Sequence, residues 1–471
     1  MPSHAITPSF SIPFFICGQG ITCNKNTDAN SFTNSLGIKE ELISTIPNSS
    51  FIRLSIPENV PNYSIPFHAV SGPPPSYIRH VSCGADFCLI LLSDGTLLSC
   101  GVNESKQLGI TQEQLKTCDY SEYESCVRSN NNTNEDIGTT VKNTLTERRI
   151  YQVKLLESVK IKMMECGSHY ALMVSENNDL YGMGVNDYNQ ICLGETYARY
   201  PSLIDYNRSV DDEITHVGCC FSYSLFVLNS RTLRLIGQNW VYHHDIDHKL
   251  SSGRLSPKQN FHVFDCNVKK LCTGGFHFVI LLQDGTVYGG DCGSNQYGNF
   301  EQENQNTIFY EITQKYFKNV KIVDICCGGD NSAFLTTNGE LYVCGLDHFQ
   351  YSCNSMQYDN MTRVEFKKPI VKMFTGDNYS CVVLDNGSII FRGKNDKHQL
   401  GSLILETHEH TFHMKDLFPK LNDPKDIAVA CGYYNTVIYC RKSLAITKHF
   451  LFIEKQINDS HLSDIVFQCI Q

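Results

Sequence analysis

Cys83-Gly84-Ala85-Asp86-Phe87-Cys88-Leu89-Ile90-Leu91-Leu92-Ser93-Asp94-Gly95-Thr96-Leu97-Leu98-Ser99-Cys100-Gly101 is the stretch that decides the fold. It reads as a small-residue pair, an apolar run, an Asp-Gly dipeptide, a second apolar run and a glycine. Asp-Gly supplies the positive φ angles of a tight turn and its flanks are rich in strand formers, so the segment is a β-hairpin. The unit recurs with fixed spacing, 11 residues from an anchor to a turn position and 6 more to a closing position. The copies are Gly84/Gly95/Gly101, Gly167/Asn178/Gly184, Cys220/Arg231/Gly237, Gly274/Gly285/Asp291, Gly328/Gly339/Gly345 and Gly376/Gly387/Gly393. Two spacings kept constant through every copy mean hairpins of one length in one repeating architecture.

A further anchor, Cys431-Gly432, begins the strand-like stretch from Ile427 to Cys440, but no turn dipeptide or closing glycine follows it. The missing half stands at the other end of the chain, as Phe14-Phe15-Ile16-Cys17-Gly18. A unit divided between the two ends closes a ring, and radial repetition leaves only short, protected sheet edges. The expectation is an all-β chain: a seven-bladed β-propeller of four-stranded antiparallel sheets, closed by N- and C-terminal strands and followed by a short C-terminal helix. An open solenoid of the same hairpins is the competing architecture, and it has no use for a divided unit.

After the closing glycine a second pattern appears. It reads Gly101-Val-Asn103-Glu-Ser-Lys-Gln107-Leu108-Gly109 and Gly393-Lys-Asn395-Asp-Lys-His-Gln399-Leu400-Gly401, with a looser copy from Gly184 and Asn186 through Gln190 to Gly194. This resembles the repeat of the regulator of chromosome condensation family, a seven-bladed propeller, over about residues 11–440. The resemblance implies fold strongly and activity weakly, because one fold hosts many functions. Members of that family exchange nucleotide on the small GTPase Ran, bind chromatin, or carry ubiquitin-related and light-sensing modules. Light sensing there depends on clustered tryptophans, and this chain has only Trp240. Chromatin docking there uses a basic N-terminal tail, whereas residues 1–20 contain no Lys or Arg.

The C-terminal residues carry a second resemblance. Ile446, Phe450, Ile453 and Ile457 make a helical stripe, and Ser463-Asp464-Ile465-Val466-Phe467 is similar to the first strand of a BTB/POZ domain. One strand cannot stand alone, so the rest of such a domain is expected to be missing from the chain. Residues 443–471 are read as a helix and the start of a truncated BTB/POZ domain. The two longest spacings between a closing position and the next anchor place insertions at about 21–75 and 111–150, the first proline-rich, the second polar and of low complexity.

Composition bounds the partners. The 471 residues carry 39 basic and 49 acidic side chains, a net charge of −10, which is the wrong sign for gripping a nucleic-acid backbone. No apolar run approaches the roughly 20 residues of a membrane-spanning helix. The first 15 residues lack a basic n-region, so the 22 cysteines are expected as reduced thiols in a cytoplasmic chain, a nuclear location being left open. Cys17, Cys83, Cys100, Cys166, Cys219, Cys220, Cys327, Cys344 and Cys431 stand at or beside anchor and closing positions, where small buried residues belong.

Chemistry-bearing motifs are sparse. Gly387 to Gly393-Lys394 has the wrong glycine spacing for a phosphate loop and reads as strand. No Cys-x-x-Cys pair occurs, and His408, His410 and His413 read as a solvated loop, so neither a metal nor another cofactor is expected. The candidate partner-binding residues are Trp240, Tyr242, His243, His244 and Asp245, where the chain abandons the Asn-x-x-x-Gln-Leu-Gly pattern for aromatics and histidines. In the Ran exchange factors that the propeller resembles, a protruding wedge follows the closing glycine of one early blade. The expected function is a non-catalytic protein-interaction module of a propeller–BTB adaptor or scaffold, with a cullin-type ubiquitin ligase as one partner. A guanine-nucleotide exchange factor for a Ran-like small GTPase is the alternative.

Overall fold

The computed structural model describes residues 77–111, 152–155, 159–237, 256–290, 309–317, 320–345, 361–396, 399–402, 408–419 and 421–440. It also gives the backbone of strand residues 13–18, 44–45, 52–55, 59–60, 63–64, 146–151, 238, 254–255, 346 and 357–360. The sequence 443–471, the segment 239–253 with Trp240, Tyr242, His243, His244 and Asp245, and Asp291 lie outside the described residues.

Each repeat unit folds as a short antiparallel sheet. In the first, Ile78–Cys83, Phe87–Leu92, Leu97–Val102 and Thr146–Gln152 pair in chain order, with the Asp94-Gly95 turn between the second and third strands. Five more sheets follow the same plan from Ile161–Cys166, Ile214–Cys219, Val268–Thr273, Ile322–Cys327 and Ile370–Thr375, so the chain is an all-β propeller of four-stranded blades with few helices. The second strand of every blade is buried along nearly its whole length, as Phe87 to Leu92 show, because neighbouring blades cover both its faces. The hydrophobic clusters therefore lie between blades, as where Leu89 and Leu91 meet Met164 and Met173.

Six blades built from consecutive strands are one fewer than the seven expected. The residues assigned to a further unit form a sheet drawn from both ends of the chain. Pro13–Gly18 runs antiparallel to Asn435–Cys440, with Gly18 opposite Asn435 and Phe15 opposite Ile438. The outer strands of this sheet come from within the first insertion, Ile52–Ser55 beside Pro13–Gly18 and then Ser44–Thr45, so the proline-rich stretch contributes strands as well as extended chain. The shared sheet touches the first blade directly: Tyr433 and Tyr434 N–H donate to the Gly84 and Ala85 carbonyls at 3.2 and 3.3 Å, and the Tyr439 hydroxyl accepts from Val81 N–H at 3.2 Å.

The innermost strand of all six blades carries one register shift at the same place, between Ile78 and His80 in the first and between Ile370 and Lys372 in the sixth. A bulge at that point increases local twist. Ile427–Cys431, the innermost strand of the shared sheet, pairs without one and is a residue shorter before its anchor.

The closing glycine has a geometric cause. Gly101 sits at φ +114°, and a Cβ there would lie 2.4 Å from the Asp86 carbonyl oxygen. Gly184, Gly237 and Gly345 share the left-handed backbone, at φ +97°, +110° and +89°. Toward the hairpin Gly345 keeps the repeat's register, opposite Asn331 as Gly101 is opposite Phe87. Toward the outer strand the pairing is not continuous. Between Val343 and Gly345 the pairing of Leu341–Leu346 with Gln357–Val364 slips, from Val343 opposite Thr362 to Gly345 opposite Tyr358. The same slip precedes Gly101 and Gly184. A left-handed residue takes its strand out of regular pleat, and in these three blades the outer pairing is interrupted there; beside Gly393 it continues, with Arg392 opposite Glu409 and Gly393 N–H donating to His408 O at 3.0 Å.

The expected turn geometry holds at Gly95, Gly285, Gly339, Gly387 and Asn178, all at positive φ. It fails at Arg231: the left-handed residues are Asn229 and Ser230, a two-residue turn set by Asn-Ser in place of Asp-Gly. Gly387 is a turn residue and Ser388–Gly393 a strand, as the spacing implied.

Candidate interaction face and central channel

The anchor positions meet at the centre of the ring. A Cβ on Gly84, Gly274, Gly328, Gly376 or Gly432 would lie 2.2 to 2.6 Å from the carbonyl oxygen of the next anchor, which explains the small residues there. One residue further on, backbone hydrogen bonds pass from blade to blade: Ala85 N–H to Ser168 O at 2.8 Å, Phe221 to Gly275 at 2.7 Å, and Gly275 to Gly329 at 2.9 Å. Just before the anchors, thiols do the same on a weaker scale. Cys83, Cys166 and Cys219 donate to the carbonyls of Ala430, Ser82 and Glu165 on the preceding unit, at 3.8, 3.4 and 3.4 Å.

The recurring cysteines are thus small side chains, and at Cys83, Cys166, Cys219 and Cys220 the weak donor meets an inter-blade carbonyl. Cys83, Cys100, Cys219, Cys220, Cys327 and Cys344 are buried, Cys166 and Cys431 partly so, and no described cysteine is in a disulfide. The channel along the ring axis encloses a cavity of about 140 Å³, lined in part by Cys83, Cys166, Cys219, Cys327 and Cys431. That is small beside the roughly 300–1,000 Å³ of pockets that enclose drug-sized ligands.

The Asn–Gln pattern after the closing glycine staples each loop. Asn103, Asn186 and Asn395 accept, through Oδ1, the N–H of Leu108, Ile191 and Leu400 at 3.0–3.1 Å, and Asn395 Nδ2 donates to Ser402 O at 3.1 Å. The glutamine backbone then ties the loop to the next blade, Gln190 O accepting from Ser224 and Gln399 O from Thr436, both at 2.7 Å. Asn395 is 2% exposed. Asn395→Ala strands two buried backbone groups, so urea unfolding should show a loss of about 2–3 kcal/mol.

On the face where these loops emerge, the residues just past each anchor surround the channel mouth, and here the blades differ. Tyr188, Phe221 and Phe276 form a strip with ring centroids 5.8 and 5.3 Å apart, and Phe276 is 43% exposed. Across the mouth stand Tyr433 and Tyr434. Carboxylates accompany them: Asp330 and Asp377 lie near Tyr433, with Lys394 near Asp377, and Asp86 lies 3.7 Å from His169. Burial, with the Asp330 charge second, pushes the Asp377 carboxyl up to about 6. Its Oδ1 occupies the space a Cβ on Gly329 would need, and its Oδ2 accepts a hydrogen bond from Asn378 Nδ2. Exposed aromatics beside carboxylates suit a partner that brings apolar and cationic groups together.

The strand Thr232–Gln238, from which the predicted Trp240 segment departs, ends on this same face, Gly237 being opposite Tyr223. The histidines of the 408–413 stretch do not converge. The His410 ring lies 4.3 Å from that of Phe412, and His413 Nδ1 accepts from Lys415 N–H as the cap of the helical turn Met414–Leu417. Among the described residues no three His, Cys, Asp or Glu side chains gather in a metal-holding group, and no helix is long and apolar enough to cross a membrane. Repeat reasoning passed over the mouth residues because they do not repeat. The signal was there: variable residues at a fixed place in an otherwise regular unit.

A family model described as Regulator of chromosome condensation (RCC1) repeat matches residues 78–107 and 322–350. The Ultraviolet-B receptor UVR8 of Arabidopsis thaliana is 22% identical over 271 residues, covering 57% of this chain and 53% of its own. The probable E3 ubiquitin-protein ligase HERC4 of Mus musculus is 24% identical over 397 residues, 74% of this chain and 30% of its own. The guanine nucleotide exchange factor SRM1 of Saccharomyces cerevisiae is 25% identical over 175 residues, 37% of this chain and 29% of its own. The chain therefore spans about half the length of the first of these relatives and less than a third of the others. Among solved structures, Prp20p from Saccharomyces cerevisiae, described with its binding to Gsp1p and histones, superposes with a TM-score of 0.61 at 16% identity over 95% of this chain and 94% of its own. Constant offsets, stapled loops and matched segments agree: this chain is a β-propeller in which residues 78–107 and 322–350 match the regulator of chromosome condensation repeat.

Proposed function

We propose that this chain is a non-catalytic protein-interaction module that docks a basic segment of a partner protein on the channel-mouth face. The observation that carries the reading is the Tyr188–Phe221–Phe276 strip, half-buried at Tyr188 and Phe221 and exposed at Phe276, set beside the mouth carboxylates. We count the sheet shared by the chain ends as a seventh blade. On the same reading residues 443–471 begin a BTB/POZ domain, the setting is cytoplasmic, and a cullin-type ubiquitin ligase is one partner; the relation to HERC4, an E3 ligase by name, supports an adaptor role without assigning one.

Partner capture by wild-type chain and by a Phe276→Ala, Asp377→Lys double variant tests the proposal. Capture should fall at least tenfold in the variant, and equal capture would end it. Asp377 gains its charge as pH rises through about 6, so affinity for a basic partner should increase from pH 5 to 7.5. Stability runs the other way. A carboxyl raised in the folded state favours folding when protonated, so its contribution is full below the unfolded value of 3.8 and is lost as pH climbs through about 6. Asp377→Asn should therefore raise the melting temperature at pH 7.5 and leave it unchanged at pH 3.5.

A second reading, exchange of guanine nucleotide on a Ran-like GTPase, is supported by the relation to SRM1. Release of fluorescent nucleotide from small GTPases, Ran first, decides it: acceleration well above the intrinsic rate favours exchange, and none leaves the docking module.

A further inference from the structure

The first blade carries three cysteines in one cross-strand row. Cys83 stands opposite Cys88, and Cys88 opposite Cys100. Gly84 N–H donates to Phe87 O at 2.9 Å, which makes Gly84 and Phe87 a hydrogen-bonded pair and Cys83 and Cys88 the adjacent non-hydrogen-bonded pair. Opposed residues of that kind have Cα atoms about 4.5 Å apart, within the window a disulfide needs, and their side chains approach most closely. The two Sγ atoms are 2.9 Å apart.

The other units show that this is not simply the repeat. At the same register Cys219 faces Ser224, Cys327 faces Ser332, Thr375 faces Ser380 and Cys431 faces Thr436. Cys166 faces Ala171 and Thr273 faces Phe278. Only the first blade sets thiol against thiol at this position. Access differs between the two sulfurs as well. Cys83 lines the channel cavity, and Cys88, fully buried, lies one strand behind it.

We propose that Cys83 and Cys88 form an oxidative modification site, closed to a cross-strand disulfide by a peroxide that enters through the channel. The Cys83 thiolate attacks one peroxide oxygen and the O–O bond breaks. The hydroxide released takes up the thiol proton as water, leaving Cys83 as a sulfenic acid. The Cys88 sulfur then attacks the Cys83 sulfur, the S–O bond breaks, and its oxygen departs with the Cys88 proton as a second water. Two thiols lose two electrons and one peroxide gains them. A dithiol reductant reverses the step by exchange through a mixed disulfide.

Burial pushes the Cys83 thiol up to about 11, although its contact with Cys88 acts in the opposite direction. The thiolate is accordingly scarce at neutral pH, so closure answers sustained oxidant and its rate climbs about tenfold per pH unit up to that value.

The test treats the full chain with hydrogen peroxide, alkylates free thiols, and cleaves on the N-terminal side of Asp86, which separates Cys83 from Cys88. The expected result is two peptides held together and released by reductant, a tenfold faster yield at pH 9 than at pH 8, and persistence in Cys100→Ser. Cys88→Ser installs the hydroxyl that other blades use; it should keep the melting temperature and abolish the linkage. Recovery of both cysteines alkylated, or a bond from Cys83 to another channel thiol or from Cys88 to Cys100, would overturn the proposal.

Discussion

Removal of residues 1–18 is expected to abolish cooperative folding. Pro13–Gly18 covers one edge of Asn435–Cys440, the strand whose Val437, Ile438 and Tyr439 are at most 1% exposed. Without it the chain keeps every covalent link between its remaining blades and loses the strand pairing between its two ends, leaving such contacts as those of Tyr433, Tyr434 and Tyr439 with the first blade. The newly bared edge carries unpaired backbone groups and apolar side chains, a template for aggregation. Stability of native domains is about 5–15 kcal/mol, and loss of a whole strand at the ring closure consumes most of that. Size-exclusion chromatography should show high-mass species, and thermal circular dichroism should lose its sigmoidal transition. A synthetic peptide of residues 11–20 added in trans should restore both, because strand addition to an exposed edge needs mainly backbone hydrogen bonds. A truncated chain that melts like the full chain would mean that the clasp contributes little.

A graded glycine series gives the second large effect. Gly393 is at φ +120° and its added Cβ would meet the Asn378 carbonyl oxygen and Tyr379 Cα, both at 2.6 Å. Backbone cannot yield as a side chain can, so Gly393→Ala combines dihedral strain with a clash, and a loss of about 4 kcal/mol is expected. Gly339 shares the positive angle, φ +76°, but its nearest neighbour is Pro369 Cβ at 3.6 Å. Gly339→Ala should therefore cost only the αL penalty of about 1–2 kcal/mol. Urea midpoints of the two variants separate the contributions. Equal losses would show that the closing position needs glycine for its angle alone.

Much of this architecture was legible because a repeat converts weak local signals into one strong periodic signal. Constant offsets located the turns at Gly95, Asn178, Gly285, Gly339 and Gly387 and the closing glycines Gly101, Gly184, Gly237, Gly345 and Gly393, and Gly18 was assigned to the same unit as Gly432 across the whole chain from a missing half. Where local chemistry departs from the repeat, the reading failed: Asn229-Ser230 turns the third blade earlier than the offset placed it at Arg231. The offsets located Gly345 but could not show the slip in pairing beside it, because that slip involves an outer strand with no copy of the motif. The blade count came out differently because the unit at the ends is assembled from distant segments, including strands at 44–45 and 52–55 that lack the motif as well. The channel-mouth residues were not found at all, since their role depends on differing from one blade to the next. Asp377 and Tyr433 are brought together only by the packing of the C-terminal strands on the sixth blade.

The bulge shared by six innermost strands has a consequence for how such a chain can be altered. It fixes how far each strand advances between its buried first residue and its anchor, as from Ile78 to Gly84 and from Ile370 to Gly376. Six segments therefore behave as interchangeable cassettes: a graft of one into the place of another keeps every channel-lining residue in phase. Ile427–Cys431, unbulged and a residue shorter, is the keystone cut to a different measure. Transplanted elsewhere, it would still keep its channel-lining residue in phase, since Cys431 faces Thr436 as Cys83 faces Cys88, and would lose only the local twist that the bulge supplies.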